Sequence, residues 1–185
     1  MPSPNIDQFR PLYRAEYDQL IALGSFQDEK IELIDGALVR MSPIGPPHTE
    51  AVDRLTELLV MALAGKARVR VQGPFAASEL SEPEPDLSVL PLADYSAAHP
   101  EHAHLIIEVA ESSLKRDRGR KARLYAECGV REYWVVNLIE RVVEVHRDHA
   151  QGEYRQITVH APAKGERIRL LDFPTVELNV ADFVI

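Results

Sequence analysis

The sequence lacks the features that mark several classes of protein. It has one cysteine in 185 residues, Cys128, so it can form no internal disulfide and offers no thiol cluster to zinc. No apolar run approaches the roughly 18 residues of a membrane span, and residues 1–7 lack the charged and apolar regions of a signal peptide. These absences predict a cytoplasmic protein in which Cys128 is a small core residue.

Positive charge is scarce as well. The chain has 29 acidic and 21 basic residues and a net charge of −8, which argues against a large electrostatic footprint on nucleic acid. One segment departs from this balance, because six of the nine residues from Lys115 to Arg123 are basic. Near a helix start, Arg118 and Arg120 oppose the helix dipole, which is acceptable where an anionic ligand docks. A solvated helix entrance capped by Asp117 explains the segment equally well.

The length and the patterning predict an α/β domain. Residues 1–13 carry three prolines and little periodicity, which predicts an N-terminal arm before a single domain over residues 14–185. Asp35-Gly36 between apolar segments predicts a tight hairpin over residues 30–41. The other predicted elements are helices over residues 14–23, 48–64 and 117–127, and strands over residues 68–72, 86–90, 105–109, 132–137, 142–147, 154–160 and 167–171. Interleaved strands and helices indicate a mixed central β-sheet flanked by helices, with extra β-hairpins.

Glu108 is an acid inside the apolar segment 105–109. A buried carboxylate needs a cation, a metal or a proton beside it. The helix after this strand can return Lys121 to Glu108, and Asp86 reaches the same place if its strand pairs with residues 105–109. Two acids that converge with a lysine form a minimal divalent-metal site for phosphoryl chemistry, in which the ammonium positions water. The structural alternative is a salt bridge from Glu108 to Lys121 or Arg120, with Asp86 capping a turn.

Other side chains are weaker candidates for the same site. Glu32 can supply another carboxylate to the metal, although alternation along its strand slightly favours an outward position on an edge hairpin. His48 stands at a helix start, where it either contacts phosphate or water or, more commonly, caps or packs. His99, His102 and His104 form a trio without an acid or cysteine at metal-ligand spacing, so we do not predict zinc binding.

Several motifs follow one another in a defined order along the chain. They are Ile31–Val39 with Met41-Ser42-Pro43 and His48, Val71-Gln72-Gly73-Pro74, Glu84–Val89, Leu105–Val109, Arg116-Asp117 with Lys121 and Tyr125, and Gly129–Val136. In this combination they resemble the Uma2 family of restriction endonucleases over about residues 14–147. That family is similar to the PD-(D/E)XK nuclease superfamily, so the resemblance implies a restriction-endonuclease-like fold with a four-stranded mixed sheet surrounded by helices.

The resemblance also implies an activity and its residues. Pro85-Asp86 matches the first acidic motif and Glu108 the second acid, while the lysine expected two residues later is Ala110 here and corresponds instead to Lys121. The implied reaction is hydrolysis of phosphodiester bonds in DNA with Mg²⁺ or Mn²⁺. Asp86 and Glu108 would bind the metal with the backbone carbonyl of Val109, and Lys121 would orient or help to deprotonate the attacking water. Cutting two strands would favour a homodimer.

Two other functions fit the same fold. Ala110, the net acidity and the absence of a recognisable DNA-reading domain leave open a non-catalytic module that binds nucleic acid or protein. The acidic surface also suits a metal enzyme that acts on a small phosphorylated molecule. The connection after Val109 reads Ala110-Glu111-Ser112-Ser113 in place of the family's usual Leu-Ser-Pro step, which adds the acid Glu111 near the site.

Overall fold

The computed structural model describes residues 10–184, and the structural statements below concern this part of the chain. Most of the predicted N-terminal arm, residues 1–9 of 1–13, lies outside the described residues. Residues 10–13 form neither helix nor strand, and the Leu12 N–H donates a hydrogen bond of 3.0 Å to the Gly36 carbonyl. The end of the arm therefore lies against the predicted hairpin.

The order of helices and strands is that of an α/β protein. The helices are α1 (Arg14–Ala22), α2 (Pro46–Ala62), α3 (Leu114–Arg116) and α4 (Ala122–Glu127), with a π-helical turn (Asp117–Lys121) between the last two and short 3₁₀ helices at Pro162–Lys164 and Val180–Asp182. The strands are β1 (Ile31–Ile34), β2 (Ala37–Arg40), β3 (Arg68–Val71), β4 (Leu87–Leu90), β5 (Leu105–Ala110), β6 (Glu132–Asn137), β7 (Val142–Ala150), β8 (Glu153–His160), β9 (Arg167–Arg169) and β10 (Glu177–Asn179). None of the described helices is long and apolar enough to cross a bilayer.

Six strands form the central sheet in the order β3-β4-β5-β6-β7-β8. The pair β5–β6 is parallel and the other neighbours are antiparallel, so the sheet is mixed, as the sequence predicted. Two antiparallel hairpins, β1–β2 and β9–β10, lie outside this sheet. The sequence predicted the strand that corresponds to β9 but gave no signal for β10.

Helices cover both faces of the sheet. Leu55 and Leu59 of α2 belong to the same buried cluster as Leu105, Ile107 and Val109 of β5. Because side chains alternate along a strand, the intervening residues of β5 point to the other face. That second face is packed by Ala122 and Tyr125 of α4, among others. Glu108 consequently lies on the face that α3, the π-helical turn and α4 cover.

The β1–β2 hairpin is docked rather than free. Its turn residues Asp35 and Gly36 have φ angles of 50° and 74°, the left-handed geometry that an Asp-Gly hairpin turn requires. A Cβ atom added to Gly36 would lie 2.4 Å from Cβ and 2.9 Å from Cα of Pro11, so only glycine allows the arm to approach this closely. Leu33 and Ile34 are fully buried, which fixes β1 against the body of the protein.

The predicted helix over residues 117–127 begins earlier than expected. The Arg116 and Asp117 N–H groups both donate to the Ser113 carbonyl, so the helix starts at Leu114 and Asp117 lies inside it. The alternative in which Asp117 caps the helix is therefore wrong. Asp117 and Lys121 begin and end the π-helical turn, and both are buried beneath it. Single π-helical turns of this kind recur at functional sites in proteins.

Candidate active site

Neighbouring strands place Asp86 beside Glu108. Antiparallel pairing of β4 with β5 matches Ser88 to Ile106 and Leu87 to Ile107, and one further step along this register brings residue 86 opposite residue 108. Side chains directly opposite each other on one face of such a pair have Cβ atoms about 5 Å apart. The Val109 N–H donates a hydrogen bond of 2.8 Å to Asp86 Oδ2, which fixes this carboxylate at the end of β5.

Lys121 reaches the same place from the helical side. Its side chain is 2% exposed, and Nζ lies 2.9 Å from Glu108 Oε1. The Tyr125 hydroxyl, one helical turn later, donates to the same oxygen at 2.8 Å. The structure therefore brings together the three side chains that the sequence analysis singled out, with Asp86 and Glu108 as strand neighbours and Lys121 above Glu108.

Glu32 also belongs to this group, contrary to its slightly favoured outward position. The Glu32 side chain is fully buried, and its Oε2 lies 3.0 Å from Lys121 Nζ. Alternation misled because both faces of β1 are buried, Leu33 on one face and Glu32 and Ile34 on the other. Leu33 also forms an isolated β-bridge to Glu82, so this edge of the strand is not free. An edge hairpin with one wet face would have exposed Glu32, whereas a docked one buries it.

A small cavity opens beside Asp86, Glu108 and Lys121. It has a volume of about 50 Å³, which is room for an ion with a few waters beside it, since one water needs about 10–15 Å³ of such space. Its walls come from the loop before α2, from the approach to β4, from the segment after β5 and from the π-helical turn. The lining residues are Met41, Ser42, Pro43, Ile44, His48, Glu84, Asp86, Glu108, Val109, Glu111, Ser112, Ser113, Arg116 and Lys121.

His48 contributes more than the sequence indicated. Its Nε2 lies 3.1 Å from Asp86 Oδ2, and its Nδ1 is buried without a hydrogen-bond partner among residues 10–184. Burial lowers the pKa of His48, but the hydrogen bond and the charge of Asp86 outweigh burial, so the pKa is raised. The histidine neither caps α2 nor merely packs; it helps to hold Asp86. The position at a helix start and the resemblance both singled out His48, but neither indicated its hydrogen bond to Asp86.

Negative charge exceeds positive charge around Lys121. Burial raises the pKa of Glu108 to about 8, although the nearby Lys121 ammonium opposes this shift. Burial also raises the pKa of Asp117, and neither of its carboxylate oxygens has a hydrogen-bond partner in the described part of the chain. Burial lowers the pKa of Lys121, but Glu108, Glu32 and Asp117 together raise it above its usual value. The site is therefore short of positive charge.

A family model described as "Putative restriction endonuclease", Uma2, matches residues 14–181. The chain belongs to the Uma2 family. No curated protein matches it significantly. Among solved structures, "Crystal structure of a putative nuclease belonging to DUF820 from Anabaena variabilis ATCC 29413" is similar with a TM-score of 0.75 and 15% sequence identity. The match covers 94% of this chain and 98% of the other, and at this identity it shows a shared fold.

The donor atoms of this Uma2 site suit a hard divalent cation. Glu108 accepts its two hydrogen bonds at Oε1, so Oε2 is the oxygen left for a ligand. Among residues 10–184, no group of three or more His, Cys, Asp or Glu side chains is arranged to hold a metal. Mg²⁺ is commonly bound by one or two carboxylates, with waters completing its shell, so Asp86, Glu108 and the Val109 carbonyl fit this ion. A structural zinc site would need more side chains as ligands.

Two arginines of the basic segment are bound by acids of this chain. Arg118 Nε lies 2.8 Å from Glu144 Oε1, and Arg120 Nε lies 2.7 Å from Asp35 Oδ2. Neither arginine stands at a bare helix start, because the helix begins upstream at Leu114. The structure thus explains both residues by internal ion pairs and does not require an anionic ligand.

Proposed function

We propose that this Uma2 protein is a metal-dependent endonuclease that hydrolyses phosphodiester bonds in DNA with Mg²⁺ or Mn²⁺. The family's description supports a nuclease. The observation that carries the proposal further is the small acidic cavity in which Asp86, Glu108 and Lys121 converge. Two adjacent carboxylates with a buried lysine form the arrangement that metal-assisted phosphoryl transfer uses.

Asp86 and Glu108 would hold the metal, with the Val109 carbonyl as a further ligand. When bound, a divalent ion supplies a nucleophilic water near neutral pH and counters charge on the departing oxygen. His48 and the Val109 N–H keep the Asp86 carboxylate in place, and Tyr125 does the same for Glu108. These contacts hold the two ligands before substrate arrives, so less reorganisation is needed on binding.

Lys121 would orient the attacking water and, as an ammonium whose pKa is raised, would help the water to lose its proton by stabilising the hydroxide electrostatically rather than by accepting the proton. Its ammonium has three donors, of which Glu108 and Glu32 engage two, so one remains for water or a phosphate oxygen. Because the lysine side chain is buried in the π-helical turn, its position is fixed by the fold rather than by the substrate. We propose DNA as the substrate and a homodimer as the active form, since one site addresses one strand at a time.

Cleavage of supercoiled plasmid DNA tests this proposal. The unmodified protein should nick or linearise the plasmid with Mg²⁺ or Mn²⁺ and should lose this activity in EDTA. Asp86→Ala, Glu108→Ala and Lys121→Ala should each lower the rate by about 10²-fold or more, because each removes a metal ligand or the group that handles the water. Asp53→Ala, which changes an exposed acid of α2, should cleave like the unmodified protein.

Other outcomes of the same assay would identify another function. A folded protein that binds DNA with metal but never cuts it would be the non-catalytic module on the same fold. Hydrolysis of mononucleotides or phosphosugars without DNA cleavage would make it a metal enzyme for small phosphorylated molecules. Circular dichroism of each alanine variant must show an intact fold, since Glu108 and Lys121 are buried and their removal leaves charges unpaired.

A further inference from the structure

Glu32 contacts the site without lining its cavity. Its Oε2 lies 3.0 Å from Lys121 Nζ and also accepts the Glu84 N–H at 3.3 Å. Its Oε1 has no hydrogen-bond partner among the described residues, and Arg116 comes no closer than 3.8 Å. The fully buried Glu32 carboxylate therefore points toward the lysine and away from the space that could hold an ion.

The Lys121 ammonium is shared between two carboxylates. Nζ lies almost equally far from Glu108 Oε1, at 2.9 Å, and from Glu32 Oε2. An ammonium whose only anionic partner was Glu108 would compete with a metal for that carboxylate and would repel the metal at close range. A second carboxylate on the far side of the ammonium offsets both effects. The geometry thus gives Glu32 a task different from binding the metal.

We propose that Glu32 is a positioning residue that holds the Lys121 ammonium as its counter-ion and so leaves Glu108 available to a divalent metal. This inference rests on the proposed function, because it assumes that a metal binds at Asp86 and Glu108. It replaces the earlier expectation of Glu32 as a further metal ligand. The hydrogen bond from the Glu84 N–H ties the same carboxylate to the segment that leads into Asp86.

Titration of the metal-free protein with Mn²⁺ alone, followed by calorimetry, tests this role without DNA. Glu32→Gln keeps the shape of the side chain and removes its charge, so among residues 10–184 Glu108 is then the one carboxylate in direct contact with Lys121 Nζ. We expect Mn²⁺ to bind about tenfold more weakly to this variant. Glu82→Gln is the matched control. Glu82 is a buried acid in the segment that leads into β4, where it pairs with Leu33, and it makes no contact with Lys121. Its Mn²⁺ affinity should stay within about twofold of the unmodified value.

A double-mutant cycle separates positioning from direct ligation. In a Lys121→Met background there is no ammonium to hold, so Glu32→Gln should weaken Mn²⁺ binding no more than Glu82→Gln does. If Glu32→Gln still weakens binding about tenfold there, Glu32 is a ligand and the inference is wrong. Should Lys121→Met fail to fold, Lys121→Gln takes its place, since an amide can still hydrogen-bond both carboxylates.

The same titrations distinguish this inference from the proposed function. An unmodified protein that binds Mn²⁺ and cleaves DNA, with equal affinities in Glu32→Gln and Glu82→Gln, would overturn only the role of Glu32. An unmodified protein that binds no Mn²⁺ would overturn both. The Lys121 variants are expected to have lost DNA cleavage already. The inference predicts that adding Glu32→Gln to them leaves their Mn²⁺ affinity unchanged.

Discussion

At the scale of single residues, Glu108 combines burial with an oxygen left for a ligand. Lys121 and Tyr125 satisfy Oε1, and hydrocarbon surrounds the rest of the strand. Without a metal, burial raises the pKa of Glu108 to about 8. The raised pKa means that the protonated form of Glu108 is favoured. A bound divalent ion would replace this proton and favour the carboxylate, because metal ligands must be deprotonated.

This shift predicts a pH dependence of metal binding. Below about pH 8 the carboxyl of Glu108 is largely protonated, so a metal must displace the proton, and its apparent affinity should fall up to about tenfold per pH unit. Calorimetry in buffers of different ionisation enthalpy should show about one proton released at pH 6.5 and almost none at pH 9. An affinity that is constant from pH 6 to 8.5 would contradict the assignment of Glu108 as a ligand.

The stability of the metal-free protein should fall as pH rises, whereas its affinity for metal should increase. The pKa of Glu108 is higher in the folded than in the unfolded chain, so the folded state binds the extra proton and loses stability as pH rises toward 8. Glu82, whose pKa burial raises to about 7, should act in the same way. Glu82→Gln should therefore flatten the pH profile of urea unfolding without changing metal affinity, and this provides the control for Glu108→Gln.

Residues that the sequence misjudged lie where tertiary packing overrides local pattern. Glu108 could be found because an acid in an apolar strand demands a partner, and Asp86 and Lys121 because the neighbouring strand and the following helix can bring them to it. Glu32 and Asp117 could not be placed from the sequence. Their burial depends on how the hairpin docks and on where the helix begins, and neither is encoded by residue alternation or by a capping preference.

At the scale of elements, the β1–β2 hairpin connects local geometry to the site. It carries Glu32 to Lys121, and its turn packs against Pro11 at a distance that only glycine permits. The Asp-Gly turn predicted this hairpin correctly, whereas no signal in the sequence indicated β10, whose three residues include a single apolar side chain, Leu178. The hairpin is thus predictable as an element, and its contact with the site is not.

Gly36→Ala tests how strongly the site depends on this docking. The substitution forces alanine to a φ of 74° and drives its Cβ into Pro11, so it should destabilise the protein by about 1–3 kcal/mol in urea unfolding. Gly165→Ala, at a φ of 62° with nothing within 4 Å, carries the backbone strain alone and should cost about 1 kcal/mol. Equal losses in the two variants would contradict the close packing of the hairpin.

At the scale of the whole molecule, the mixed sheet agrees with the predicted fold class, although it has six strands where the resemblance implied four. The similar crystal structure shares this fold. The alternation of apolar and polar residues in the strands, and the glycines and prolines that end the helices, made this layered architecture predictable from the sequence. The strand order could not be read from the sequence, because pairing of distant strands leaves no local signal. The sheet's function is to hold β4 and β5 side by side, so that acids far apart in the chain become neighbours.

The homodimer remains a prediction at this scale. A chain of 20.8 kDa with a net charge of −8 has little overall electrostatic attraction for duplex DNA. If the active form is a dimer, sedimentation equilibrium should give twice the mass of the chain, and plasmid should be linearised with little nicked intermediate. A monomer that accumulates nicked circles would contradict the dimer and leave the single site intact.

The central claim is that Asp86 and Glu108 together hold a divalent metal beside Lys121. An anomalous difference map from a crystal of the unmodified protein soaked in Mn²⁺ tests it most directly. The account predicts a single strong peak about 2.1–2.2 Å from a carboxylate oxygen of each acid, absent from Asp86→Ala crystals. A peak bound elsewhere, or a cavity that stays without manganese at millimolar concentration, would contradict it.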